Sequence, residues 1–203
     1  MSSDYSEPTT RKDKTLSLLK VVEWPAKVLE TKSSDVTVFD DKLRTFVADM
    51  HETMDHSKGI GLAANQVNSL QRVLTMMIPW HDADEDESGL EEKKWWHDKR
   101  FTFINPVITK KSGKMKYMEG CLSFPEIYDY VDRAANVTVK AVDEHGKEFE
   151  VEADGLFSVC LQHEIDHIDG IVFINRMSRL KNKMIRQKLQ KRQLLAKSSE
   201  PEE

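Results

Sequence analysis

Two histidines four positions apart, His163 and His167, restrict the chemistry of this chain more than any other feature, and Glu164 directly follows the first. Positions four apart on an α-helix lie on the same face, one turn above the other. Both imidazole rings can therefore bind a single metal ion, and Glu164 can take a proton from a water on that ion. The pattern predicts a helix that supplies two metal ligands and a general base.

A catalytic metal site of this kind needs a third protein ligand and one open coordination position. No histidine follows His167, and no glutamate follows it before Glu200, so a downstream ligand is hard to supply. Upstream, Cys121 lies at the end of a strand-like run and can offer a thiolate. Cys121 is therefore the preferred third ligand, with Cys160 the alternative. Three positions before His163, Cys160 is otherwise expected to line a pocket as a small buried thiol.

A glycine-rich segment at 59–66, with the sequence GIGLAANQ, has features of a ligand-binding loop. Gly59 and Gly61 flank one isoleucine and permit close approach of the backbone to a ligand. Gln66 offers a neutral amide as a hydrogen-bond donor. Taken alone, the segment also fits the end of a helix followed by a turn, with Gln66 on the surface.

The hydrophobic pattern predicts an α+β fold, with antiparallel or mixed β-sheets packed around a central helix that carries the HExxH pattern. This metal helix is predicted at 155–168, another helix at 41–56 and a C-terminal helix at about 178–197. Turn residues at 143–146 predict a β-hairpin. Strands are expected at 72–78, 101–105, 114–119, 137–142 and 148–152.

A chain of 203 residues is long enough for one domain with a substantial core, expected at residues 15–197. Residues 1–14 are polar and without periodicity, and they are predicted to form a flexible tail. The acidic residues 80–100 are expected to form a loop insertion, with a lid or partner surface as the alternative. No run of 18 apolar residues occurs and the N-terminus lacks an apolar secretion signal, so a cytoplasmic protein is expected.

Residues 176–197, which contain the predicted C-terminal helix, are strongly basic, with nine lysines and arginines and no acidic residue. This charge fits an amphipathic helix with a solvated basic face, and a docking surface is the alternative. An apolar stripe at helical spacing is formed by Leu180, Met184, Ile185 and Leu189.

Three segments resemble, in order and spacing, the signature motifs of the peptide deformylase family. They are GIGLAANQ at 59–66, EGCLS at 119–123 and QHEIDHIDG at 162–170. The resemblance extends from about residue 18 to about residue 191. It implies a metal-dependent hydrolase that removes the N-formyl group from the formylmethionine of nascent polypeptides and releases formate. For the basic C-terminal helix it implies docking on the ribosome near the exit tunnel. No membrane or DNA partner is expected.

The resemblance also implies a role for each motif residue. The metal ligands are Cys121, His163 and His167. Glu164 moves the proton from the attacking water to the leaving amine. The Gln66 side chain and the Leu122 backbone N–H donate hydrogen bonds to the oxygen that gains negative charge. Substrate contacts are expected from Ile60, Gly61, Gly120, Leu156 and Cys160.

The native metal and its surroundings follow from the same resemblance. Family members usually hold Fe²⁺ in the cell, which is the ion expected here, and Zn²⁺, Ni²⁺ or Co²⁺ can occupy the same ligands. Glu119 and Asp166 are candidates for orienting the ligand rings, although Asp166 fits a solvent-facing position equally well. Tyr128 stands where some members have an arginine at the rim of the substrate site.

Two other functions fit parts of the sequence. A zinc endopeptidase of the HExxH type would need a downstream ligand and a longer cleft, and the sequence offers neither. A catalytically inactive, ribosome-associated homologue would show a broken ligand set or lack the helix glutamate, whereas all of these residues are present. The remaining histidines are expected at the surface or in loops, namely His51, His56, His81, His97 and His145.

Overall fold

The computed structural model describes residues 17–78 and 99–198, so the predicted tail at 1–14 and most of the acidic insertion lie outside the described residues. The α-helices of the described part are α1 (Asp41–His56), α2 (Gly155–Ile168) and α3 (Arg179–Ser198). None of them is long and apolar enough to cross a bilayer. Short 3-10 helices lie at Lys27–Glu30, Ala64–Val67 and Phe173–Arg176. The strands are β1 (Gly61–Ala63), β2 (Val73–Ile78), β3 (Lys99–Ser112), β4 (Met115–Glu119), β5 (Asp129–Arg133), β6 (Asn136–Val142) and β7 (Glu148–Asp154).

The strands of the described part form two antiparallel sheets. Five strands make the larger sheet in the order β1-β2-β3-β6-β7, and β4 pairs with β5 in a separate two-stranded sheet. The long strand β3 lies at the centre of the larger sheet because its first half pairs with β2 and its second half with β6. The predicted hairpin at 143–146 is confirmed, since it joins β6 to β7 with Gly146 in the left-handed region at φ 81°.

The larger sheet lies between two helices. Alternate residues of β2 point to opposite faces, so Leu74 and Met76 join the apolar cluster of α2, whereas Val73 joins that of α1. On α2, Leu161 and Ile165 are buried in the same cluster as Leu74. Burial of each such side chain stabilises the fold by about 1.5–3 kcal/mol, which fixes α2 as an inner helix. The buried apolar residues of α1 repeat at helical spacing and are Leu43, Val47, Met50 and Met54.

A third apolar cluster connects the smaller sheet to α3. Leu189 of α3 is buried in it and Ile185 is partly buried against it. Leu180 and Met184 are instead exposed, so the predicted four-residue stripe of α3 is wrong at two positions. Neighbouring residues on a helix point in directions about 100° apart. Because Ile185 and Leu189 face the core, Leu180 and Met184 cannot also face it. The remaining buried members are Trp24, Leu29, Phe124, Ile127, Val131, Val172, Phe173 and Ile174.

The predicted α+β class is confirmed, and α1 and α2 have the predicted bounds. Two short strands escape the hydrophobic pattern. The three residues of β1 are all buried and show no alternation, and β5 has the largely polar sequence DYVDR. His51, expected at the surface, is instead partly buried on α1, where its Nε2 lies 3.0 Å from Thr102 Oγ1 of β3.

Candidate metal centre and active site

The middle of α2 is enclosed by the protein, and every residue from Phe157 to Ile168 is buried. The rings of His163 and His167 have centroids 5.0 Å apart, as expected of positions one helical turn apart. Cys121, two residues after β4 ends, places its Sγ 3.2 Å from His167 Nε2. One ligand atom from each of these three residues lies within 4.8 Å of the other two. The fold therefore brings the upstream cysteine and both histidines together.

Cys121 and His167 are spaced much as two ligands of one divalent transition-metal ion would be. Bonds of about 2.3 Å to sulfur and 2.0–2.1 Å to nitrogen put the ligand atoms of a tetrahedral site roughly 3.3–3.6 Å apart. The 3.2 Å between Cys121 Sγ and His167 Nε2 is close to that range. Three protein donors also leave one coordination position for a water or a substrate atom, which is the arrangement of a catalytic site.

Glu119 orients the ring of His163. The Nδ1 of His163 donates a hydrogen bond to Glu119 Oε2 at 2.8 Å, so Nε2 is the ring nitrogen available to a metal. Arg133 donates to both carboxylate oxygens, at 2.7 Å and 2.9 Å. Burial raises the pKa of Glu119, but hydrogen bonds from Arg133 and His163 outweigh it and lower the pKa to about 2. The carboxylate therefore stays charged and selects one tautomer of the ring.

Asp166 is buried, so the solvent-facing alternative is wrong. Among the described residues its carboxylate accepts hydrogen bonds from Arg133 and Arg176, not from a ligand ring. These two arginines complete an ion network behind α2 that the sequence does not reveal. No local pattern could indicate them, because the paired residues are 10, 14 and 33 positions apart in the chain.

Glu164 carries a carboxyl group suited to proton transfer. Burial raises its pKa, the charge of His163 opposes that effect, and the resulting pKa is about 7. Its Oε2 is buried and has no hydrogen-bond partner among the described residues. A carboxyl group with a pKa near neutrality can both accept and return a proton at physiological pH.

Gln66 is buried in the 3-10 helix after β1, so the alternative that places it on the surface is wrong. Its Oε1 accepts a hydrogen bond from the backbone N of Ala63 at 2.8 Å. This contact turns Nε2 toward Ser123 Oγ at 3.3 Å and Cys121 Sγ at 3.6 Å. The amide donor consequently lies beside the three candidate metal ligands.

Two glycines make room at this site. A Cβ on Gly61 would lie 2.8 Å from Cys160 Sγ and 2.9 Å from Glu164 Cδ, which is closer than real Cβ contacts. A Cβ on Gly120 would lie 2.5 Å from the ring of Tyr128. Side chains at either position would displace groups of the site, so the absence of a Cβ matters more here than backbone freedom.

A cavity of about 540 Å³ opens beside these groups. Gln66, Leu122 and Glu164 line it together with Cys121 and His163. The apolar and glycine positions expected to contact substrate also line it, and they are Ile60, Gly61, Gly120, Leu156 and Cys160. The residues that the sequence predicts for catalysis and substrate contact therefore lie around one cavity in the fold.

Known proteins resemble this chain in both sequence and fold. A family model described as polypeptide deformylase matches residues 18–183. The peptide deformylase of Neisseria gonorrhoeae is 47% identical over 178 residues, which cover 88% of this chain and 98% of the relative. The crystal structure of a peptide deformylase from Legionella pneumophila matches with a TM-score of 0.74 and 38% identity, covering 91% of this chain and 100% of that chain.

A second solved structure is that of the Ehrlichia chaffeensis peptide deformylase in complex with actinonin. It matches with a TM-score of 0.76 and 38% identity, covering 87% of this chain and 98% of that chain. The sequence and the fold therefore both match the same family over most of this chain and most of each relative. The chain belongs to the peptide deformylase family and is a metal-dependent hydrolase that removes the N-formyl group from nascent polypeptides.

Proposed function

We propose that Cys121, His163 and His167 hold the catalytic metal ion of this deformylase. The proposal is supported above all by the three ligand atoms, which lie within 4.8 Å of one another. Cys121 and His163 also line the cavity. When bound, the ion lowers the pKa of a coordinated water and stabilises negative charge on the substrate oxygen. Substitution of His167 by Ala should abolish both stoichiometric metal binding and formate release from formyl-Met-Ala-Ser. Retention of both would contradict the ligand assignment.

Fe²⁺ is the ion proposed for the cell, and Zn²⁺, Ni²⁺ or Co²⁺ also suit one thiolate and two imidazoles. Anaerobic purification followed by metal analysis and a formate-release assay tests the choice. The expected result is about one equivalent of iron per chain, with activity lost in air as Fe²⁺ or the Cys121 thiolate is oxidised. Full activity with zinc alone, stable in air, would contradict iron as the native ion.

Glu164 is proposed to accept the proton of the attacking water and to deliver it to the amine that leaves. Its pKa of about 7 supports this role, as does its buried Oε2, which has no hydrogen-bond partner among the described residues. As the formyl carbon becomes tetrahedral, its oxygen gains negative charge. The Gln66 Nε2 and the Leu122 backbone N–H are proposed to donate hydrogen bonds to that oxygen.

The substrate is proposed to enter the 540 Å³ cavity with its methionine side chain among apolar groups. Ile60, Leu156 and Cys160 suit a flexible thioether, since unbranched methionine adapts to irregular apolar walls. Gly61 lies on β1 and Gly120 follows β4. Both glycines let the backbone of an extended peptide approach these strands. A formyl-norleucine peptide should be processed at a rate similar to formylmethionine, whereas a formyl-aspartate peptide should not.

The ribosome is the proposed docking partner of α3, which would place the enzyme in the cytoplasm beside emerging chains. Among its basic residues, Lys183 and Lys188 are exposed and form no ion pair with a described residue. Such charges can bind phosphates of RNA.

The test reverses both charges, in a Lys183→Glu, Lys188→Glu variant, because truncation would also remove Leu189 from the core. Ribosome binding should weaken and depend less on salt, while hydrolysis of formyl-Met-Ala-Ser stays unchanged. Lys147→Glu, at an exposed position of the β6–β7 hairpin, is the control. Equal ribosome affinity for all three proteins would rule out this docking surface.

A further inference from the structure

Arg176 connects the start of the C-terminal segment to the buried network behind α2. It is the last residue of the 3-10 helix Phe173–Arg176, and α3 begins three residues later. Its Nε donates to Asp166 Oδ2 at 2.9 Å and its Nη2 donates to Asp166 Oδ1. This two-point contact matches a planar guanidinium to a planar carboxylate, which fixes the orientation of Asp166 as well as its position.

From Asp166 the contacts continue to a proposed metal ligand. Asp166 Oδ2 also accepts a hydrogen bond from Arg133, which holds both oxygens of Glu119. Glu119 Oε2 in turn accepts the hydrogen bond from His163 Nδ1 at 2.8 Å. Arg176 is thus linked to the imidazole ring of His163 through three intervening side chains.

The middle of this chain of contacts is shielded from solvent. The side chains of Arg133 and Glu119 are each 3% exposed and that of Asp166 is 9% exposed. Two arginines and two carboxylates balance in charge, so the network is neutral when all four are present. Without Arg176, Asp166 would keep one arginine partner and could rotate toward it, drawing Arg133 away from Glu119.

We propose that Arg176 is a positioning residue that sets the orientation of His163 through Asp166, Arg133 and Glu119. Arg176 thereby contributes to the metal affinity of a site to which it donates no hydrogen bond. This inference rests on the proposed role of His163 as a metal ligand.

Three variants test the inference. Arg176→Gln removes the charge and the two-point contact, whereas Arg176→Lys keeps the charge but offers a single donor group. Arg186→Gln is the matched control, because Arg186 makes a similar ion pair with Glu30 on the outside of the fold. Co²⁺ affinity is measured by competition with a chromophoric chelator, and the absorption spectrum of the Co²⁺ protein reports the ligand geometry. Thermal unfolding of each metal-free protein reports any general loss of stability.

Arg176→Gln should weaken Co²⁺ binding roughly threefold to tenfold, below the about 10–100-fold effect of residues that contact a ligand directly. Its Co²⁺ spectrum should shift, Arg176→Lys should restore part of the affinity, and Arg186→Gln should match the original protein. Unchanged affinity with lower thermal stability would overturn the inference in favour of a purely structural role. Tighter Co²⁺ binding by Arg176→Gln would also overturn it. That result would mean that loss of the distant positive charge affects the metal ion through electrostatics alone.

A His163→Ala variant separates this inference from the proposal on which it rests. If His163→Ala still binds Co²⁺ with the original affinity, the ligand assignment itself is wrong. If His163→Ala loses Co²⁺ while Arg176→Gln binds it normally, the ligand assignment stands and the positioning role of Arg176 is refuted.

Discussion

The His163 Nδ1 atom lies 2.8 Å from Glu119 Oε2, and Arg133 holds both oxygens of that carboxylate. An imidazole held in this way has its tautomer and ring plane set before a metal arrives. Under the proposed ligand assignment, part of the metal affinity depends on residues that are not ligands, and this dependence can be measured.

Replacement of Glu119 by Gln removes the charge that His163 and Arg133 share. We expect metal affinity to fall about 10–100-fold and the free energy of unfolding to fall by about 3–5 kcal/mol, because a buried ion pair loses one member. Chelator competition and urea unfolding measure the two effects. Glu150→Gln, in an exposed ion pair on β7, should change neither quantity. Original metal affinity in Glu119→Gln would show that the ring needs no carboxylate.

Replacement of Glu164 by Gln should leave the metal bound but nearly abolish turnover. Proton transfer by a positioned side chain contributes about 10²–10⁴-fold, and kcat should fall by that factor. Formate release and metal analysis are measured on the same preparation. Glu148→Gln, at an exposed position of β7, serves as the control. Turnover at the original rate would contradict the proposed proton transfer.

Replacement of Gln66 by Glu tests the amide donor, because it keeps the acceptor oxygen that contacts Ala63 N and removes the Nε2 donor. Loss of one such donor should lower kcat by about 10²–10³ with a smaller change in KM. Gln66→Met lacks the donor without adding charge, and it should show a similar loss. If Gln66→Glu is slow while Gln66→Met is fully active, the added charge and not the missing donor causes the loss of kcat.

Replacement of Gly61 by Ala should force Glu164 and Cys160 apart from β1, since the new Cβ would lie under 3 Å from both side chains. Overpacking of this kind costs about 1–3 kcal/mol of stability, and displacement of Glu164 should also lower kcat. The double variant Gly61→Ala, Cys160→Ala relieves one of the two contacts. It should recover stability, measured by thermal unfolding, more than it recovers activity. Full recovery of both would indicate that Glu164 is not displaced.

His51 should make the protein less stable in mild acid. Burial, assisted by the charge of Arg100, lowers its pKa from 6.5 to about 4. The unfolded chain therefore binds a proton at higher pH than the folded one, and stability is lost as pH falls from about 6.5 toward 4. The loss is about 3 kcal/mol at most. Urea unfolding of the original protein and of His51→Gln measures it as a difference in pH dependence. Identical pH dependence would assign the acid sensitivity to other groups.

Much of the site could be predicted because its information is local. The spacing of His163, Glu164 and His167 places them on one helix, and the bounds of α1 and α2 follow from apolar residues that repeat every three or four positions. The three motifs also identify the residues that line the cavity. For α3, local spacing was insufficient, since Leu180 and Ile185 are equally apolar and only one of them faces the core.

The sequence by itself determined the α+β class, the metal helix and a set of candidate ligands. Only the tertiary structure decided that Asp166 faces inward, that Arg133 and Arg176 hold it there, and that Gly61 lies against Glu164. The physical reason is the separation along the chain between the residues that interact. Helical periodicity acts between residues a few positions apart, whereas buried ion pairs and close contacts join residues up to 103 positions apart, and packing of the whole chain selects them.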